Sequence, residues 1–284
     1  MAVAVAIAVT LGTLQLSTTD SAGVQWIVTD VKGWRTPGIR AEYHSRQSDH
    51  GSWASPVYLE PMPLTISGLI AAPSTSARDA AIEQLIAADA LTDTVLTVAE
   101  TIPKQVTVRR SGEPLIELVG ATGVKYSVLV TAADPRRYAT VLQSQSTGLP
   151  SVTGGLTLPI TLPITISTTS TGGGFTLSNA GTIATRPVFT LLGPAASPVI
   201  TATRPDGTIF QLSYSQTLGA GDTLVIDTGA HSVMLNGSVS RRPFLSAQPS
   251  WPEILPSSSL AVRWTASAYD PAALLTGTCR SAWM

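Results

Sequence analysis

The chain has 284 residues, of which 44% are hydrophobic and only 12% charged, and its net charge is −1. Soluble domains carry roughly 25% charged residues, and a near-neutral chain has none of the electrostatic attraction that nucleic-acid binding needs. Its one cysteine, Cys279, excludes an intrachain disulfide framework and a cysteine-based zinc cluster.

This length accommodates two hydrophobic cores. At the N-terminus, Val3, Val5, Ile7 and Val9 alternate with alanine, so residues 2–10 read as a strand buried on both faces. A secretory leader is disfavoured, because no Lys or Arg precedes Lys32. The apolar run also falls short of the roughly 18 residues of a membrane span. Gly12 punctuates the first strand, Thr13–Leu16 follows as its partner or continuation, and Gly23–Thr29 is a second strand with Trp26 and Val28 on one face.

Asp30 to Gly51 is the most charged stretch and reads as an exposed loop, or as edge segments around one. Residues 63–71 form a strand ended by Pro73. Hydroxyl caps at Ser74–Ser76 then open the one convincing helix, Ala77–Leu91, with Asp79 favouring its first turn. Its apolar positions fall on two stripes, Ala81/Leu85/Ala88 and Ile82/Ile86/Ala90. Strands follow at Thr94–Glu100, Lys104–Arg109, Leu115–Val119, Lys125–Thr131 and Tyr138–Ser146.

Residues 147–174 contain no charge, many Pro and Gly, and a repeated Leu-Pro-Ile-Thr unit. They read as an extended connector, since proline cannot donate into a ladder. Beyond it, short strands recur at Phe175–Leu177, Pro187–Leu192, Val199–Thr203, Thr208–Tyr214, Thr223–Ile226, Ser232–Leu235 and Leu260–Thr265. Pro243 to Pro256 is loop-like, and Ala272–Leu275 reads as a turn of helix. The hairpin within Leu218–Gly237 is the clearest local signal: two apolar runs flank a glycine turn, with Leu224/Ile226 and Val233/Leu235 alternating. The division is thus 1–150, a connector at 151–174 and 175–284, the last part a β-sandwich.

No catalytic constellation emerges. His44 and His50, beside Asp49 and Glu60, match no metal-ligand spacing. His231 with Asp227 lacks a nucleophile, and no phosphate-binding or nucleophile-elbow motif is present. No catalytic, metal or cofactor residue is therefore nominated. Trp251 and Trp264 are the candidate sugar-stacking residues. The charged loop supplies candidate assembly residues, Trp34, Arg35, Arg40, Tyr43, Arg46 and Trp53, because docking is specified by aromatic and arginine side chains on loops.

Residues 186–237 closely resemble the C-terminal domain of siphophage distal tail proteins. The match is nearly position for position across DTLVIDTGAHSVMLNG, from Asp222 to Gly237, and WTASAYDPAALLTGTCRSAW, residues 264–283, is similar to family C-termini from actinobacteriophages. The likeness extends weakly to the first half. It implies a mainly β protein, with an N-terminal small β-barrel that has one covering helix and forms a ring, and a C-terminal galectin-like β-sandwich. It implies a structural virion protein without cofactors, made in the host cytoplasm and located at the tail tip. It further implies a homo-hexameric ring that joins the tail tube protein to a tail-associated hub or fibre protein. Receptor-binding proteins or a host surface glycan are implied as further partners. The competing reading is a carbohydrate-binding module on a virion or cell surface.

Overall fold

The computed structural model describes residues 8–35, 37–153 and 169–284. The chain is mainly β with one α-helix and divides into two compact units. The first runs to Thr140 and includes Met284; the second runs from Val141 to Trp283. The division thus falls at Thr140/Val141 and not at 150.

In the first unit, β1 (Ala8–Leu11), β2 (Leu14–Gln15) and β3 (Gln25–Lys32) are followed by a long excursion holding β4 (Ile39–Arg40), β5 (Tyr43–Ser45), β6 (Ser52–Ala54) and β7 (Tyr58–Leu59). Then come β8 (Met62–Ala71), α1 (Thr75–Ala88), β9 (Thr94–Ala99), β10 (Lys104–Arg110), β11 (Leu115–Val119), β12 (Gly123–Ala132) and β13 (Arg137–Ala139). The main sheet runs β2-β1-β9-β10-β12-β8-β3, all antiparallel, with β11 added on β12 and β13 on β10. Of the strand read at 2–10, the described residues 8–10 lie in β1, which is buried on one face only: Val9 and Leu11 are buried and Ala8 is exposed; residues 2–7 lie outside the described set.

The expected barrel is not closed by a ladder among the described residues. Between β2 and β3 the described residues form the single Thr19–Gln25 bridge, flanked by the Trp26 N–H on the Thr18 carbonyl and the Asp20 N–H on the Val24 carbonyl, each 2.9 Å. After β2 the chain turns at Asp20, whose carboxylate accepts from the Ala22 and Val24 N–H groups and from Trp26 Nε1.

Period-2 alternation sets the core. Met62, Leu64, Ile66 and Ile70 of β8 face inward against Val124, Tyr126, Val128 and Val130 of β12. Gly68 belongs to the same inward set. A Cβ there would lie 2.3 Å from the Ile27 carbonyl and 2.4 Å from Tyr126 Oη, so the tyrosine lies where a larger side chain would be. Helix α1 starts at Ser74, whose Oγ accepts from the Ala77 N–H at 3.2 Å, and ends at Asp89, short of Leu91. It buries Ala81 and Leu85. The second predicted stripe faces outward at Ile86, and Asp79 lies beyond the first turn.

The second unit opens with β14 (Gln143–Gly148), so the single strand read at Tyr138–Ser146 is two strands in different units. The connector's ends pair as β15 (Ser151–Thr153) with β16 (Thr169–Thr171); its Leu-Pro-Ile-Thr core lies outside the described residues. The sandwich strands are β17 (Gly174–Asn179), β18 (Val188–Leu192), β19 (Ala195–Ala196), β20 (Val199–Thr203), β21 (Ile209–Tyr214), β22 (Thr217–Leu218), β23 (Thr223–Asp227) and β24 (Ser232–Leu235). They are completed by β25 (Val239–Ser240), β26 (Leu245–Gln248), β27 (Ser258–Thr265) and β28 (Leu274–Cys279). One sheet runs β14-β28-β18-β23-β24-β25 and the other β17-β27-β20-β21-β26. Between them pack Leu177, Phe189, Leu191, Ile200, Leu212, Leu224, Ile226, Leu260 and Leu275.

Ala272–Leu275 is no helical turn: Leu274 opens β28, a central strand paired on both edges. Pro243–Pro256 is not all loop, since β26 pairs with β21. The glycine that weakens the β28 signal faces Phe175, whose ring lies 2.5 Å from where a Cβ on Gly277 would be, so a larger residue there would have to displace the ring.

Candidate assembly surface

The stretch read as a loop is a two-stranded arm. Ile39–Leu59 and Arg40–Tyr58 pair at its base, and Tyr43–Ala54, His44–Trp53 and Ser45–Ser52 pair further out. Between these ladders the Ser55 N–H donates to the Glu42 carbonyl at 2.9 Å, and Ser55 Oγ accepts from the Glu42 N–H at 2.8 Å. The tip turns at Gly51, where φ is +88° and a side chain would be strained. Asp49 holds the tip by accepting from Arg46 Nη1 and from the His50 N–H.

The arm is anchored at its root. Trp34 is 4% exposed, and its Nε1 donates to Glu100 Oε1 at 3.2 Å. Glu100 also accepts from Arg35 at 3.2 Å and from Lys104 Nζ at 2.6 Å. Burial by itself would raise the Glu100 carboxyl, but the hydrogen bonds from Lys104, Arg35 and Trp34 outweigh it and hold the group below the ordinary glutamate range.

Beyond the root, the arm exposes what folding normally hides. Tyr43 is 66% and Trp53 65% exposed, and Ile39, Val57 and Tyr58 are exposed with them. Arg46 lies 4.4 Å over the Trp53 ring, and Arg40 lies 5.9 Å over Tyr58. A two-stranded ribbon with apolar faces in water is marginal by itself. Apolar patches of this kind mark contact surfaces.

Of the six nominated assembly residues, Arg40, Tyr43, Arg46 and Trp53 therefore stand exposed on the arm. Trp34 is a buried anchor, and Arg35 reaches back to Glu100. The reading missed Ile39, Val57 and Tyr58, although the apolar run after Gly51 is visible in the sequence. It also missed Glu100 and Lys104, which lie far along the chain.

The sugar-stacking pair does not form. Trp264 is 1% exposed, in the second core, and its Nε1 donates to the Gly148 carbonyl at 2.9 Å. Trp251 is half-buried, with His231 stacked on it at 4.9 Å and Arg242 over its ring at 4.9 Å. Among the described residues no three His, Cys, Asp or Glu side chains are placed to hold a metal ion, and no helix is long and apolar enough to cross a membrane.

A two-unit, mainly β chain with an exposed apolar arm and a buried network at its root has the character of an assembly component. Residues 180–270, which lie in the second unit, match the family described as Siphovirus-type tail component, C-terminal domain. The whole chain shares the fold of the Dit protein (gp 19.1) of phage SPP1, described as a paradigm of the hub adsorption apparatus in phages infecting Gram-positive hosts. The TM-score is 0.64 at 12% identity, over 98% of this chain and 99% of that one. The resemblance to siphophage distal tail proteins is thereby borne out. A component of the phage P2 baseplate in its activated conformation with calcium matches over 89% of this chain and 93% of its own, with TM-score 0.47 and 7% identity. No curated protein matches the chain.

Proposed function

We propose that this structural tail component forms a homo-hexameric ring at the distal end of the tail tube, joins the tube to the tail-tip hub or fibre protein, and has no enzymatic activity. The family match over residues 180–270, together with a likeness to the SPP1 hub protein along nearly the whole of both chains, supports this reading. The arm supports it physically. A cyclic ring needs two different patches per subunit, and the exposed Tyr43, Trp53 and Tyr58 supply one of them. The second unit serves in this reading as the platform for adhesion components. The carbohydrate-module alternative is weaker, because Trp264 is in the core and Trp251 carries His231 on its ring.

The test is light scattering with negative-stain imaging of the full chain, beside a variant in which Glu42–Ser55 is replaced by Asn-Gly. Rings at about six times the 29.5 kDa chain mass are expected for the parent and not for the variant. Rings of unchanged size from the variant would remove the arm from the assembly.

A further inference from the structure

In the second unit the basic residues are Arg186, Arg204, Arg241, Arg242, Arg263 and Arg280, with no lysine. Two of them are linked to Trp251, Arg242 directly and Arg186 through His231. His231 stacks on Trp251 at 4.9 Å with planes 11° apart, and Arg186 Nη1 lies 3.2 Å from His231 Nε2. A guanidinium only donates, so this ring nitrogen accepts. The Arg242 guanidinium lies 4.9 Å over the same tryptophan, and its Nη1 donates to the Leu245 carbonyl at 2.8 Å.

These two cations are poorly neutralised. Glu253 is engaged by Arg204 at 2.9 Å and comes no nearer to Arg186 than 4.0 Å. Arg242 forms no ion pair among the described residues; its partners are a neutral ring and a main-chain carbonyl. A guanidinium over an aromatic ring still has N–H groups on its edge that can donate to the oxygens of an anion. With His231 stacked on it, Trp251 acts as a clamp for cations and not as a sugar platform.

We infer that Arg186, His231 and Arg242, ordered about Trp251, form a binding site for an oxyanion, a carboxylate or phosphodiester, in the second unit. The site stands whether or not the chain assembles as a ring.

The test is calorimetric titration of the full chain with inorganic phosphate, a glycerol-phosphate polymer, a glucuronic-acid polysaccharide and neutral dextran. Each is run in low and in physiological salt. Saturable binding of at least one anionic probe, weakened by salt and absent with dextran, is expected. Preference for the glycerol-phosphate polymer or for the uronic-acid polymer assigns the anion. Arg186→Gln and Arg242→Gln should each weaken binding about tenfold, since each removes a charge-assisted contact. Arg186→Lys should restore only part of it, and Arg263→Gln, on an exposed position of β27, should change nothing. Circular dichroism of each variant separates loss of the site from loss of the fold. No binding of any anionic probe, equal binding of dextran, or equal loss in Arg263→Gln would overturn the assignment.

Discussion

Trp34 Nε1 donates to Glu100 Oε1 at 3.2 Å, across 66 residues of sequence, and this bond ties the root of the exposed arm to the turn after β9. The same carboxylate accepts from Arg35 and Lys104, so one largely buried group fixes the course of the chain into the arm.

Glu100→Gln should destabilise the first unit by about 1.5–3 kcal/mol, the range for hydrogen bonds to a charged group. Because the folded carboxyl is held below its unfolded value, its contribution is fully present above about pH 4.5 and is lost as pH falls through the folded value. The parent should therefore lose stability on acidification more steeply than the variant. Urea unfolding at a series of pH values measures this; parallel curves would show that Glu100 carries no such coupling.

Asp89 behaves in the opposite sense. Its carboxyl is buried beside Arg110, Nε to Oδ2 3.3 Å, and burial raises it despite that arginine. A raised acid favours the folded state at low pH and loses that advantage as pH rises from the unfolded value, near 3.8, through the folded one. Asp89→Asn should flatten this part of the pH profile, seen as a smaller fall in melting temperature on raising the pH. A profile identical to the parent would mean that the group is solvated in the folded state.

Gly68 and Tyr126 give a pair of opposed expectations. Gly68→Ala places a methyl against the Ile27 carbonyl, which belongs to the main chain and cannot swing away, so a loss of about 1–3 kcal/mol follows. Tyr126 Oη is buried without a hydrogen-bond partner, and burial pushes its ionisation far above the ordinary tyrosine range. Tyr126→Phe should therefore be neutral or stabilising. Denaturant midpoints of the two variants decide it, and a strongly destabilised Tyr126→Phe would reveal a partner for the hydroxyl.

The sequence was most legible where turn chemistry and alternation agree. In the β23–β24 hairpin, Asn236 Nδ2 donates to Asp222 Oδ1 and Asn236 Oδ1 accepts from the Thr223 N–H. The turn is held by Asp227 Oδ1 accepting from Gly229 and Ala230. These local bonds leave a sequence mark, and the family resemblance rests on the same residues. It was least legible where the deciding contact is remote. The arm reads as loop because its charged and hydroxyl residues lack a one-sided pattern; a ribbon exposed on both faces has no core to impose one. Strand β28 was lost because Gly277 answers to Phe175, about a hundred residues earlier. Trp251 and Trp264 look alike in sequence, and only tertiary packing puts one in the core and the other under His231.

The arm separates assembly from stability. Tyr43 and Trp53 touch little of their own subunit, so Tyr43→Ser with Trp53→Ser should change unfolding free energy by no more than about 0.5 kcal/mol per site. If the arm docks on a neighbouring subunit, those side chains become buried anchors there, and truncating such an anchor typically costs about 2 kcal/mol or more per interface. With a contact repeated around a ring, the double variant should sediment as a monomer at concentrations where the parent assembles, while both melt at the same temperature once the parent is diluted to monomer. Sedimentation velocity measures the first quantity and thermal unfolding of the diluted samples the second. A variant that assembles as the parent does would move the contact away from the aromatic tip. A variant that fails to fold would show that the arm stabilises its own subunit, contrary to the exposure of its side chains.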